Sequence, residues 1–404
     1  MMNAADTGFM MVCSALVFLM VPGLALFYSG LVQKRNVLST TMHSFFMLGI
    51  GSVFWALIGY TLAFGDDVGG LIGNFKYGFF MGVGMEPSGD STIPHILFMA
   101  FQCMFACLTV ALISGSYAER MRFSAVALFS LLWLLLVYSP LAHWVWGGGW
   151  LMKLGALDFA GGAVVHMSSA AAALACAHAV GSRNALANGE TAPHHLPMTI
   201  LGAGILWFGW FGFNAGSALA ANGLAANAFA TTLFATAAGI LGWLLAEKWH
   251  SGKPTTLGAV SGALAGLVAI TPGAGFVSPL ASLPIGFVGG MLCYCGVLMK
   301  KRLGYDDALD VVGVHGVGGT WGALATGLFC TLSINPDGAN GLFFGNPRQL
   351  WIQFLSVIAT WVFSYAVSRG ILFAVKLVTS LRATDAEQST GLDIVDHNER
   401  GYLI

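Results

Sequence analysis

The sequence predicts an all-α membrane protein with eleven transmembrane helices, arranged as two inverted five-helix repeats plus an extra C-terminal helix. That expectation rests on three observations. Of 404 residues, 57% are hydrophobic and only 9% are charged, too few charges to cover a soluble surface of this size. Runs without Asp, Glu, Lys or Arg recur at the length of a bilayer-spanning helix, about 20 residues. Basic residues also gather in alternate loops, as the positive-inside rule requires. A formal net charge of −1 argues against electrostatic binding of nucleic acid.

The spans follow in order. Single-span runs lie between Asp6 and Lys34, Arg35 and Asp66, Asp90 and Glu119, Arg122 and Lys153, and Asp158 and Arg183. From Thr191 to Ala246 there is no charge, which is room for two helices with a break near Ala221–Ala226. Pro254 to Met299 holds two more, broken at TPGAGFVSP. The runs between Asp310 and Asp337 and between Arg348 and Arg369 add one each. With the N-terminus outside, inner loops carry Lys34, Arg35, Arg120, Arg122, Arg183, Lys248, Lys253, Lys300, Lys301 and Arg302, and outer loops only Lys76, Lys153 and Arg348. An odd number of spans puts the tail in the cytoplasm. The opening MMNAADTGFM has no basic region, so the first helix is expected to act as its own insertion signal. The seven cysteines fall in the spans, and the spacings Cys103/Cys107 and Cys293/Cys295 match no zinc, haem-attachment or redox signature. They read as small apolar core residues.

The transmembrane domain is expected over about 1–380, with repeat one at about 8–180 and repeat two at about 197–332. Helix eleven covers about 351–378, where Arg369 and Lys376 mark a cytoplasmic end, and the tail covers 381–404. The polar loop GSRNALANGETAPHH divides the halves. Five is odd, so the second half lies upside down relative to the first. This brings His166 and His315, each in the fifth helix of its half, to a pseudo-twofold axis where transporters place substrate. The many Gly and Ala residues in the spans allow helix backbones to approach closely.

A histidine inside a membrane helix is costly unless it faces a cavity or a partner. His43, His95, His143 and His178 lie near span ends and read as neutral rings bonded to a carbonyl or a Ser. His166 and His315 read as functional, since two facing imidazoles can share one proton and hydrogen-bond in series. Each follows an aspartate, Asp158 in DFAGGAVVH and Asp310 in DVVGVHGVGG. Asp158 suits a helix N-cap and would also put negative potential at the outer mouth. Two aromatic clusters, HWVWGGGW (143–150) and WFGWFGFNAGS (207–217), sit near outer span ends. Most of those rings read as interfacial anchors, and a ring facing a vestibule could hold a cation through its π-face.

With PGLALFYSG (22–30) and FQCMFA (101–106), these motifs make the chain resemble the ammonium transporter family (Amt/Mep/Rh), bacterial Amt branch, over essentially its whole length. The resemblance implies transport of ammonium or ammonia by a transporter or channel that is not an enzyme and uses no cofactor. It implies an outer cation site at Trp146, Phe105, Ser217 and Asp158, a gate of Phe105 and Phe213, and a pore proton relay at His166 and His315. It also implies a homotrimer in the lipid of the bacterial inner membrane, and a PII-type signal protein at the cytoplasmic face. The tail stretch GLDIVDHNERGY resembles the family's C-terminal motif. A polar cytoplasmic tail is expected to bury little of the membrane core, so its removal from Ser389 onward should spare the fold, while its mixture of apolar and charged residues suits docking onto the inner face.

Ammonium is a cation whose transfer into low dielectric costs many kcal/mol. Recognition as a cation outside, followed by release of the proton before a dry pore, removes most of that cost. Rival readings are a membrane haem or quinone oxidoreductase with His166 and His315 as axial ligands, an ammonium sensor, and an Rh-type gas channel. The first gives the outer aromatic and serine cluster no task. The second needs an appended signalling domain, for which the tail is too short.

Overall fold

The computed structural model describes residues 1–187, 189 and 191–402. Asn188 and Glu190 of the polar loop and Leu403 and Ile404 of the tail lie outside the described residues. Nine of the helices described are long and apolar enough to cross a membrane. They are α1 (Ala4–Leu31), α2 (Lys34–Phe64), α3 (His95–Tyr117), α4 (Phe123–Leu154), α5 (Gly162–Val180), α6 (Leu196–Gly216), α7 (Gly223–Ser251), α9 (Pro279–Leu303) and α11 (Pro347–Val378). Between them lie two further apolar helices. α8 (Thr256–Ile270) has only 15 residues. α10 is a π-helical turn, Val312–Gly316, that runs on into Val317–Phe329, and its glycines, His315, Trp321 and two threonines dilute its apolarity. The eleven charge-free runs therefore correspond to nine full spans and two lesser helices, because absence of charge is a weaker demand than length and hydropathy together.

The chain forms these helices because bilayer-length apolar runs can satisfy their backbone groups only internally. Small residues set how closely the helices meet. A Cβ at Gly202 of α6 would press into the backbone of Phe27 on α1. The outward faces are apolar and exposed, for example Phe18, Phe45, Phe208, Leu241 and Phe373, as lipid-facing surfaces are.

The end of the bundle holding the N-terminus is here called upper, and the end holding the tail lower. At the upper end, α4 breaks at Gly147–Gly149, and the loop after α2 folds into a small antiparallel hairpin of β1 (Asp67–Val68) and β2 (Ile72–Gly73). At the lower end, Arg183 ties the loops together, bonding Glu119 at 2.8 Å and both carboxylate oxygens of Asp306 at 2.9 and 3.0 Å.

The tail docks, as its mixture of apolar and charged residues suits it to do. Two short helices, α12 (Asp385–Thr390) and α13 (Leu392–His397), fold onto the lower face. Leu392 and Asp393 are buried. A polar segment buries itself here because its carboxylates find partners: Glu387 pairs with Arg122, and Asp393 accepts the Ser39 amide at 2.8 Å.

Candidate functional site

α5 and α10 begin inside the bundle and run in opposite directions. α5 ends beside the lower Arg183 network, while α10 starts from that network at Asp306 and ends where Thr331 bonds the upper loop carbonyl of Phe276. Both open with a π-helical turn, and each turn holds the helix's histidine. Single π-turns in otherwise α-helical segments gather at functional sites.

A helix that starts in an apolar interior presents unpaired amides and a positive dipole end, both costly without an acceptor. At α5 that acceptor is Asp158, whose carboxylate takes the amides of Gly161, Gly162, Ala163 and Val164 at 2.9, 2.6, 2.8 and 3.3 Å. The sequence pairs Asp310 with His315 as the counterpart, and the structure corrects this. Asp310 has a left-handed backbone and bonds Lys300. Asp307 accepts the Val312 amide at 2.7 Å and is the cap. The signal was available: Asp158 and Asp307 each stand eight residues ahead of their histidine. Burial, with the charge of Asp310 beside it, pushes the Asp307 carboxyl up to about 6.

Because both turns start in the interior, the two histidines meet. Their Nδ1 atoms lie 3.2 Å apart and their ring centroids 5.2 Å apart, with His166 fully buried and His315 nearly so. One Nδ1 must therefore donate and the other accept. Direct bonding between the rings leaves no width for a macrocycle between them, which removes the geometric basis of the haem reading. His166 also stacks on Trp210, centroids 5.4 Å apart, and Trp210 is fixed by its Nε1 donating to Thr271. Trp210 was not singled out in the sequence, although it stands inside WFGWFGFNAGS.

On the upper side of the pair, Phe105 and Phe213 stack at 4.2 Å with planes 22° apart. Above them opens a cavity of about 460 Å³ whose lining includes Trp146, Phe105, Ser217 and Asp158. These four expected residues are thus brought together. Trp146 meets Phe105 edge to face at 6.0 Å, and its Nε1 donates to the Asp158 carbonyl at 2.8 Å. Ser217 Oγ spends its proton on the Phe213 carbonyl at 2.9 Å, so the lone pairs of Oγ remain as acceptors. Phe213 does not reach this lining and lies beneath Phe105. Below the histidines, a mostly apolar cavity of about 230 Å³ runs from His166 and His315 past Leu108, Leu206 and Trp243 toward Glu247 and Asp310.

The remaining histidines follow expectation unevenly. His143 bonds the Ala63 carbonyl, but also the carboxylate of Asp67, and His178 meets Tyr365. His43 is buried with no partner at either ring nitrogen among the described residues.

A sequence profile of the Ammonium Transporter Family matches residues 8–402. The chain belongs to that family. This member is 55% identical over 403 residues to the ammonium transporter of Bacillus subtilis (strain 168), covering 99% of each chain. It superposes on the crystal structure of Saccharomyces cerevisiae Mep2 with a TM-score of 0.90 at 37% identity, covering 95% of this chain and 91% of that one. A solved Sensor Amt Protein is also similar, with a TM-score of 0.89 at 29% identity and coverage of 97% and 98%. With these relatives and its apolar helices, this family member is a multi-pass membrane transporter rather than an enzyme.

Proposed function

We propose that this chain carries ammonium across the membrane by recruiting the cation at Trp146, Phe105 and Ser217, transferring its proton to solvent water in the open upper cavity, and passing ammonia between Phe105 and Phe213 to the histidine pair. The observation that carries the reading is the stacking order along one line: an aromatic cavity, the ring pair, two bonded imidazoles, and an apolar cavity. In the upper cavity a cation meets π-faces and a hydroxyl oxygen with free lone pairs, a combination that favours ammonium over water. Asp158 contributes through its helix cap and its carbonyl, which holds Trp146, and its charge offsets the dipole end of α5. A dry passage favours the neutral molecule over the ion. At the pair, His166 Nε2 is buried without a protein partner among the described residues, so it can bond ammonia. The Nδ1 contact can hand a proton from ring to ring.

We read α8 and α10 as further crossings, which makes eleven, with the N-terminus outside and the tail in the cytoplasm. The matching Asp-to-His spacing and π-turns support two inverted repeats, about 8–180 and 197–332, followed by α11 and the tail. A homotrimer in the bacterial inner membrane with one pore per subunit, and a PII-type protein on the lower face, complete the reading. The apolar outward faces and the docked tail support them.

Solid-supported membrane current in proteoliposomes after an ammonium jump tests the function. Trp146→Leu and Ser217→Ala are expected to weaken apparent affinity for methylammonium about fivefold or more each, the scale of one lost polar or cation–π contact. Unchanged affinity in both variants overturns the outer site.

A further inference from the structure

The hairpin β1–β2 is fastened to the end of α4 that carries Trp146. Trp144 Nε1 donates to the Leu71 carbonyl at 2.8 Å, and the Trp150 amide donates to the Gly70 carbonyl at 3.0 Å. At the centre of this clip lies His143, fully buried, with Nδ1 2.9 Å from the Ala63 carbonyl oxygen and Nε2 2.9 Å from Asp67 Oδ1. A carbonyl oxygen can only accept. Asp67 is bonded by Lys153 as well, and these two partners, Lys153 first, hold its carboxyl down to about 2, so it too only accepts. Both ring nitrogens thus face acceptors, and the ring bridges the end of α2 to the hairpin.

The same residue closes the turn after Trp146. The backbone carbonyl of His143 accepts the amides of Gly147 and Gly149 at 3.0 and 2.9 Å. A side chain at Gly147 would run into the Ala63 carbonyl and into His143 Nδ1, so the turn needs a glycine to pack against this ring. Trp146 stands three residues after His143 on the same helix, directly before the turn.

We propose that His143, held between Ala63 and Asp67, is a positioning residue that sets Trp146 over the outer cavity and thereby governs cation recognition rather than passage. The role rests on the outer-site reading above. Removing the carboxylate frees the hairpin and leaves a half-bonded ring behind, and the bonds that fix the end of α4 loosen. The Phe105–Phe213 pair and the histidine pair are held by other elements and keep their geometry.

The test combines a structural and a functional readout on the full chain in proteoliposomes. Asp67→Ala and His143→Ala should speed hydrogen exchange in the segment 142–151. They should also raise the apparent KM for methylammonium about fivefold, the effect of one lost charge-assisted bond, with maximal rate within about twofold of wild type. Asp67→Asn, which can still donate to a neutral ring, should restore most of the protection and affinity. On a Trp146→Leu background, Asp67→Ala should add no further rise in KM, since both act through one contact. Unchanged exchange in Asp67→Ala, with Trp146→Leu impaired, overturns the clip alone. Faster exchange with unchanged KM, a fall in maximal rate instead of affinity, or an additive double variant overturns the positioning role. An unchanged KM in Trp146→Leu itself overturns the outer-site reading, and the purpose of the clip with it.

Discussion

At the scale of single residues, the role proposed for the histidine pair answers a conflict between selectivity and cost. On that proposal, a Lys in place of either ring would put a fixed charge in the dry passage, and a Leu would offer ammonia no hydrogen bond. Two imidazoles 3.2 Å apart offer donor and acceptor without a fixed charge. Replacing His166 or His315 with Ala is expected to abolish proton-coupled current, while water entering the widened passage lets some ammonia or cation leak. His166→Asp is expected to keep part of the current and to lose selectivity against potassium. Current and potassium leak measured in liposomes check this, and wild-type behaviour in both Ala variants reduces the pair to core packing. Asp307 gives a second prediction. A carboxyl pushed up to about 6, from an unfolded value near 3.9, favours its protonated form in the folded protein. Its stabilising contribution is therefore complete below about pH 4 and is lost as pH rises through about 6, a swing of up to about 3 kcal/mol. Asp307→Asn keeps an oxygen for the Val312 amide and removes the titration. Thermal melts should show the variant gaining on wild type between pH 5 and pH 8, and a constant difference across that range rejects the account.

At the scale of the element, α5 shows what one carboxylate does for a helix that begins in an apolar interior. Oδ1 takes the amides of Gly161 and Gly162, and Oδ2 those of Ala163 and Val164. Asp158→Ala leaves four buried amides without partners and is expected to cost well over the about 1 kcal/mol of an ordinary cap. Asp158→Asn is harsher than its shape suggests, because its NH₂ group would face two amide donors. Both variants should melt below wild type and transport poorly, and an Asn variant of full stability would show that only one oxygen matters. The sequence made part of this legible. An Asp ahead of a Gly/Ala-rich apolar run reads as a cap from propensity alone, and His166 reads as functional from the cost of burying it. The partner cap was misread because Asp307 and Asp310 stand three residues apart, and only the backbone decides which of them faces the amides. Trp210 was hidden by its company, since an aromatic-rich stretch at a span end looks like an interfacial belt until a ring is seen against His166. Counting charge-free runs located every apolar helix, yet it could not register that α8 is short or that α10 is diluted by glycine.

At the scale of the molecule, the tail acts as a brace between helices that start at the lower face. The α-helical part of α2 begins at Val37, where Asn36 supplies no side-chain cap, and Asp393 from the tail accepts the Ser39 amide instead. α4 begins at Phe123, and Asp396 accepts its amide at 3.2 Å while Glu387 pairs with Arg122 beside it. His397 packs edge-on against Phe123 at 5.0 Å. Two transmembrane helices thus borrow their first-turn acceptors from a segment more than 250 residues away, and ordering the tail fixes their relative position at the lower face. The mixture of apolar and charged residues in GLDIVDHNERGY suggests docking, but composition does not say which helix amides its carboxylates take. Deleting the chain from Ser389 onward is therefore expected to leave the apolar helices assembled and to lower stability by roughly 1 kcal/mol for each cap lost. It should also change transport, since α2 and α4 are freed together. Asp393→Ala and Asp396→Ala separate the contributions, and each should show part of the loss in melting temperature and in ammonium-driven current. If the deletion variant melts and conducts like wild type and binds a PII-type protein undiminished, the tail neither braces the helices nor serves as the docking element.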